Sequence, residues 1–464
     1  MALALSWRRL VVRNPQPLWL RSIAQTVAPA RHLWTSRPRR PAHKPHAETP
    51  DLRDPDPRWI PIDIAGQTHS FAPLVLRDLC SCPQCIDVST RQKQFYTPDI
   101  PANIEARSVE ADAEGLSITW ANDVPGYDES HVTKIALDAL SRVVITGSPE
   151  VERPQLPRSF WNAATYAQET NDFEYAEYMA DDKVLLHAVK QLHTHGLLFV
   201  RNVPEDEESV NRLAERIGPL KTTFYGKTWD VRAVPDAKNV AYTSQNLGFH
   251  MDLMYMEQPP HLQLLHCIQS SSSGGASLFS DSFKAVKDIA QMNPGAFRTL
   301  ARQPVSYHYD HPGENYYHQK RTVIQQKAVP GRSPVEELQD LDVMDFVSSV
   351  AWSPPFQGPF RLTVDSRTGQ PMQDAVLMSR AYNFQVSRWH QAASEFNNLI
   401  HREDHIHERL MKPGECVIFD NRRVLHARRA FNIGDIGRQR WLKGGYIDRD
   451  PYLSRLKTLP SHAR

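Results

Sequence analysis

His250, Met251 and Asp252 form a His-x-Asp triplet inside the stretch NVAYTSQNLGFHMDLMYMEQPPHLQLLHC, residues 239–267. On an extended strand, residues i and i+2 project to one face. The imidazole of His250 and the carboxylate of Asp252 would then point together. A third ligand is expected far along the chain on a similar strand. GECVIFDNRRVLHARRAF supplies a candidate: a turn at Pro413-Gly414, an apolar strand from Cys416 to Phe419, then His426. Two histidines and one carboxylate hold a metal by one face and leave the other open, as in non-haem Fe(II) sites that use O2. A His-x-Asp triplet alone is common by chance, so the weight rests on the three residues together, in strand-like settings and in this order.

Arg440 follows His426 by fourteen positions in RQRWLKGGYI. A facial-triad oxygenase of this kind takes 2-oxoglutarate, a dianion whose distal carboxylate suits a bidentate, always-charged partner. Arginine meets that need better than lysine.

Cys80, Cys82 and Cys85 form C-x-C-x-x-C, so three of the five cysteines fall within six positions. In an intracellular chain such a cluster reads as a metal site before a disulfide framework. Tetrahedral zinc needs a fourth ligand. His131, after the strand-like SITW that begins near Leu116, is the best candidate. Four protein ligands would make the site structural. Buried or redox-active cysteines are the competing reading. A nucleic-acid finger is disfavoured, because no basic recognition helix flanks the cluster.

The 464 residues are 41% hydrophobic, enough for a substantial core and about two domains. Net charge is +1, so no global field points to nucleic acid or a membrane surface. No apolar run reaches the length of a membrane span. Residues 1–47 contain no Asp or Glu but carry Arg8, Arg9, Arg13, Arg21, Arg31, Arg37, Arg39 and Arg40. That composition reads as a mitochondrial transit peptide and basic linker, with a helix over residues 5–23, and implies a matrix address. If the segment is only a basic tail, the address is cytoplasmic.

Residues 58–145 read as a small β-rich zinc-binding domain, in which PLVLRDLC is an apolar strand. Residues 146–180 read as an acidic, aromatic connector. Residues 181–464 then hold the catalytic domain. Its elements begin with a helix from Asp181 to His195 closed by Gly196. The buried strand GLLFVRNV follows, then a helix over residues 207–217. SSSSGGASLFSDSF reads as a glycine turn into a strand, residues 284–302 as helical, and residues 389–402 as a helix on the β core. Residues 303–380 carry little signal.

LRDLCSCPQC, TFYGKTW, NVAYT, FHMD, PPHLQLLHC, SGGASLFSDSF, FDNRRVLHARR and WLKGGY occur in this order. In them the chain resembles the γ-butyrobetaine dioxygenase family of Fe(II)/2-oxoglutarate-dependent oxygenases, from about Phe71 to near the C-terminus. The resemblance implies an α+β, mainly β architecture. A double-stranded β-helix (jelly-roll) catalytic domain would carry flanking helices, preceded by the small N-terminal zinc-binding β domain. It implies Fe(II) on His250, Asp252 and His426, structural Zn(II) on Cys80, Cys82, Cys85 and His131, and 2-oxoglutarate on Arg440 with ascorbate as reductant. A longer insertion precedes His131 here than in the family.

Ser277, two residues after the paired glycines, corresponds to a hydroxyl that contacts 2-oxoglutarate in this superfamily; a turn serine is the rival reading. Tyr225, Trp229, Tyr242 and Tyr446 match the family's aromatic cage for a trimethylammonium group. Such a cation donates no hydrogen bond and is held by ring faces. Asn239 reads as a contact to the substrate's carboxylate end or as a turn asparagine. Tyr255 reads as pocket lining or packing. The activity implied is C3 hydroxylation of γ-butyrobetaine to L-carnitine by a homodimer, with succinate and CO2 as coproducts. Trimethyllysine dioxygenase is the nearest alternative. A non-catalytic zinc-binding scaffold with an oxygenase-like domain is the alternative of a different class.

Overall fold

The computed structural model describes residues 58–112, 115–148, 156–232, 243–270, 274–327, 343–360, 374–432 and 440–462. The Arg-rich segment 1–47, with its expected helix, lies outside them, as do Asn239 and Tyr242. The chain divides into two compact units, Met1–Val151 and Glu152–Arg464.

In the first unit a hairpin, Ile60–Ile64 with Gln67–Phe71, precedes a three-stranded antiparallel sheet of Ala106–Ala111, Leu116–Trp120 and Thr133–Ile135. Leu76, Phe95, Ile118, Trp120 and Leu140 form its core. PLVLRDLC is not a strand. Pro73–Asp78 is a short helix with proline in its first turn, where a fixed φ favours helix. It buries Leu76 and Arg77 and leaves Leu74 and Val75 substantially exposed. An apolar run this short carries no period that separates helix from strand.

The second unit is built on two facing sheets. Its strands are β1 (Phe173–Glu174), β2 (Leu197–Arg201), β3 (Thr228–Val231), β4 (Leu247–His250), β5 (Leu262–Gln269), β6 (Ser277–Asp281), β7 (Ile406–Arg409), β8 (Glu415–Asp420), β9 (Val424–Arg428) and β10 (Trp441–Ile447). One sheet has the order β1-β2-β8-β5-β10-β3, the other β7-β6-β9-β4. This is the jelly-roll architecture that the family resemblance implies.

Strand β2 shows why the large sheet reads as a continuous apolar run. Leu197 and Phe199 face inward, where Phe199 meets Phe279 and Phe279 meets Phe419. Leu198 and Val200 face outward into a second cluster with Leu185, Val189, Leu213 and Tyr452. Those last residues come from the helices Asp182–His195, Ser209–Glu215 and Arg449–His462. A strand buried on both faces loses the alternation of a half-exposed one. The helix Asp182–His195 ends where its sequence announces, at Gly196 with φ +76°, and Asp181 caps its start by accepting from the Lys183 N–H.

Residues 156–180 are built into this unit. Trp161, Tyr166 and Tyr178 are buried in its core, and Phe173–Glu174 is an edge strand of the large sheet. The segment 284–302 is two helices, Ser282–Met292 and Pro294–Arg302, divided where Asn293 caps the second. The late helix runs from Ala375 to Ile400, far longer than expected, because only its second half has a buried face to generate a period. The uninformative stretch contains a hairpin of Val305–His311 with Asn315–Arg321.

His266 on β5 is fully buried, and neither ring nitrogen has a hydrogen-bond partner among the described residues. Burial pushes its pKa down to about 4, and burial does the same for His193 and His407. The unfolded imidazoles take up protons near pH 6.5 and the folded ones only near pH 4. The unfolded chain therefore binds more protons between these values, and stability falls as pH drops through that window. The urea midpoint is expected to be lower at pH 5 than at pH 7, and His266→Leu to flatten part of that slope.

Candidate metal and cosubstrate site

Strands β4 and β9 pair so that His250 and His426 are direct cross-strand partners, with ring centroids 4.1 Å apart. Asp252 does not lie on the strand with His250. The strand ends at His250, and Asp252 stands in the following turn, where Leu253 has φ +61°. The Asp252 N–H donates to Asn421 Oδ1 at 2.8 Å, and Asn421 Nδ2 donates back to the Asp252 carbonyl at 3.0 Å. Asn421 is fully buried between β8 and β9. It thus replaces the ladder in fixing the turn. The carboxylate returns to within 3.4 Å of His250 Nε2, and the donor atoms of His250, Asp252 and His426 all lie within 4.8 Å of one another.

The donor set suits a divalent ion. His250 Nδ1 is hydrogen-bonded to the Gly248 carbonyl at 2.9 Å, which leaves Nε2 as the ligating nitrogen. Asp252 Oδ2 accepts from Gln263 Nε2 at 2.9 Å and from the Tyr446 hydroxyl at 2.7 Å, so Oδ1 is left to the metal. Burial alone would raise the Asp252 carboxyl. Its interactions with His250, His426 and the Tyr446 hydroxyl hold it well below the usual carboxylate range. Burial pushes His426 down to about 3, keeping the neutral form that ligates metals.

The same cavity is lined by Ser277, Arg440, Tyr225, Trp229, Tyr255 and Tyr446. Arg440 is 7% exposed, and among the described residues no carboxylate pairs with it. Burial lowers its pKa to about 10. A buried guanidinium without a counter-ion is costly, and a dicarboxylate reaching this cavity would relieve that cost. Ser277 is buried at the start of β6. Arg428, two residues after His426, also lines the cavity and donates to the carbonyls of Thr243 and Gln245.

The aromatic residues are brought to one cavity, but not as equivalent walls. Trp229 and Tyr446 stack on each other with centroids 4.0 Å apart and planes at 24°. The indole lies directly over Gly444, its cross-strand partner. A Cβ on Gly444 would stand 2.4 Å from Trp229 Cε2, so only glycine fits beneath the ring. Tyr225 belongs instead to a group of rings with Phe224, Tyr255, Tyr309 and Phe356.

In the first unit Cys80, Cys82, Cys85 and His131 converge. His131 Nε2 lies 3.7, 3.5 and 3.3 Å from the three sulfurs. Tetrahedral zinc with ordinary Zn–S and Zn–N lengths would place these atoms about 3.6 Å apart. Sequence reasoning missed what surrounds them. Asp123 Oδ2 meets His131 Nδ1 at 2.6 Å, and its other oxygen pairs with fully buried Arg77. Arg77 Nη1 reaches Cys85 Sγ at 3.3 Å, and its guanidinium lies between the rings of Phe95 and Tyr127. A carboxylate behind a metal-binding histidine fixes its tautomer. Hydrogen bonding with Cys85 lowers the pKa of the Cys80 thiol against the effect of its burial.

Gln263, Asn421, Arg428, Asp123 and Arg77 were not singled out from the sequence. Most of them have a polar neighbour in the sequence, and nothing local marks which of the two is buried and needs a partner.

The family model for taurine catabolism dioxygenase TauD, TfdA family matches residues 156–446. The chain belongs to this family. A second model, gamma-butyrobetaine hydroxylase-like, N-terminal, matches residues 60–130. A dioxygenase, str8, from Strobilurus tenacellus is 33% identical over 83% of this chain and 84% of its own length. The gamma-butyrobetaine dioxygenase of Pseudomonas sp. is 29% identical over 85% of this chain and 91% of its own length. The mitochondrial trimethyllysine dioxygenase of Mus musculus is 26% identical over 87% and 86%.

Two outcomes are expected at these sites. 2-Oxoglutarate should raise the melting temperature of the wild-type protein in the presence of Mn(II), and Arg440→Met should abolish most of that rise. Cys85→Ser, or a strong chelator, should release one equivalent of zinc and unfold the first unit, read by metal analysis and limited proteolysis.

Proposed function

We propose that this dioxygenase hydroxylates γ-butyrobetaine at C3 to give L-carnitine, with succinate and CO2 as coproducts. The observation that carries the reading is the convergence in one cavity of three groups. They are the His250–Asp252–His426 triad, a buried Arg440 that no carboxylate pairs with among the described residues, and the aromatic side chains of Tyr225 and Trp229. The two family models and the Pseudomonas relative support it.

When bound, Fe(II) and 2-oxoglutarate supply the O2 activation needed to oxidise an unactivated C–H bond, and ascorbate returns oxidised iron to the ferrous state. The chain's own residues bind, orient and exclude water. His250, Asp252 and His426 would hold the iron. Arg440 would pair with the distal carboxylate of 2-oxoglutarate, and Ser277 would offer the cosubstrate a hydroxyl. The rings hold the trimethylammonium group by cation–π attraction, about 0.5–2 kcal/mol per contact, so that one C–H bond is presented to the metal. Leu247, Leu265 and Phe279 keep the cavity wall apolar.

Trimethyllysine is the second reading. Gln263 Oε1 is buried with no hydrogen-bond partner among the described residues, and Gln263 lines the cavity. An acceptor there suits a substrate with an α-ammonium donor, which γ-butyrobetaine lacks. The Mus musculus and Gallus gallus relatives are named mitochondrial trimethyllysine dioxygenases. Their address and the acid-free segment 1–47 together support a mitochondrial location.

Succinate release with Fe(II), ascorbate and 2-oxoglutarate is expected to rise on adding γ-butyrobetaine, with carnitine appearing by mass spectrometry. A rise with trimethyllysine alone would transfer the assignment. Tyr225→Leu should raise the KM for the stimulating substrate by about 2- to 30-fold, the range of one cation–π contact, and leave the KM for 2-oxoglutarate unchanged.

A further inference from the structure

Tyr446 sits where the resemblance places a cage wall, yet its hydroxyl is engaged on Asp252. Strands β5 and β10 pair so that Gln263 and Tyr446 are direct cross-strand partners. Both are 2% exposed. Both donate to the same atom, Asp252 Oδ2, at 2.9 and 2.7 Å. A carboxylate accepts and does not donate, so the phenol must supply its proton and the amide must present its nitrogen.

We propose that Gln263 and Tyr446 are positioning residues, a cross-strand clamp that occupies Oδ2 of Asp252 and reserves Oδ1 for the metal, with Trp229 bracing Tyr446. The proposal rests on the reading of His250, Asp252 and His426 as the metal site. Two donors on one oxygen oppose rotation of the carboxylate into a two-oxygen grip that would consume a further coordination position. The brace follows from geometry. Trp229 stacks on Tyr446, and the indole cannot be displaced from its own place without leaving the cleft above Gly444 that only it fills. Tyr446 is thereby held between a ring and a carboxylate. A change at Trp229, which lines the substrate cavity and is no metal ligand, therefore reaches the metal site before any substrate is present.

The test is Mn(II) affinity of the zinc-replete full chain, without 2-oxoglutarate or substrate, read from the free Mn(II) signal in electron paramagnetic resonance. Tyr446→Phe keeps the ring and removes the hydroxyl. It is expected to weaken binding about 10- to 100-fold, and Gln263→Met to act in the same direction. Trp229→Ala is also expected to weaken it. Wild-type affinity in both Tyr446→Phe and Gln263→Met, with binding lost in Asp252→Ala, would overturn the clamp and keep the metal site. Wild-type affinity in Asp252→Ala would instead overturn the metal reading itself. Lower melting temperatures with unchanged Mn(II) affinity would show a merely structural pair and sink the proposal. Unchanged affinity in Trp229→Ala would remove the brace. Should Tyr446→Phe fail to fold, Gln263→Met decides.

Discussion

The site depends on one pairing, His426 opposite His250 on adjacent antiparallel strands. A one-residue slip of β9 against β4 would turn one imidazole to the opposite face of the sheet. Register is therefore the quantity the rest of the structure must protect. Strand β9 is held on its other side by β6, where Phe279 opposes His426. Phe279 is in turn locked between Phe199 and Phe419 of the facing sheet. The packing of the barrel interior thus fixes the geometry of the candidate metal site, although none of these phenylalanines can be a ligand.

Polar side chains complete what the strands begin. Asn421 fixes the turn that carries Asp252, and Arg423, in the same tight connection, pairs with fully buried Asp281 at 2.7 Å. Such groups are costly to bury and are tolerated only when satisfied. They confine irregular backbone to one conformation, which apolar packing alone does poorly. The first unit uses the same device, with Arg77 and Asp123 behind His131.

Much of this was legible in the sequence, for identifiable reasons. His250 and His426 stand out because each ends or interrupts an apolar run. The helix Asp182–His195 carries its own stop signal in Gly196. The cysteine cluster needs no fold to be noticed. Other features were hidden because they exist only in three dimensions. The His-x-Asp triplet suggests one strand, whereas a positive φ at Leu253 takes Asp252 into a turn. Pro73–Asp78 is too short to show a period. Tyr446 reads as an aromatic wall, and nothing local reveals that its hydroxyl faces a carboxylate 194 positions earlier.

The bare backbone of Gly444 has a further consequence. The wall of the cavity at Trp229 is defined from behind by an absence, since the indole rests where any other residue's side chain would begin. Variation on the two strands is therefore not independent. A smaller residue at 229 opens a void over the glycine, and any side chain at 444 evicts the indole. Neither change can be introduced first without passing through a damaged intermediate. The shape of this cavity is more easily altered through the loosely grouped rings around Tyr225, whose neighbours are side chains that can repack, than through the tryptophan, which is fixed between the main chain at Gly444 and the stacked ring of Tyr446.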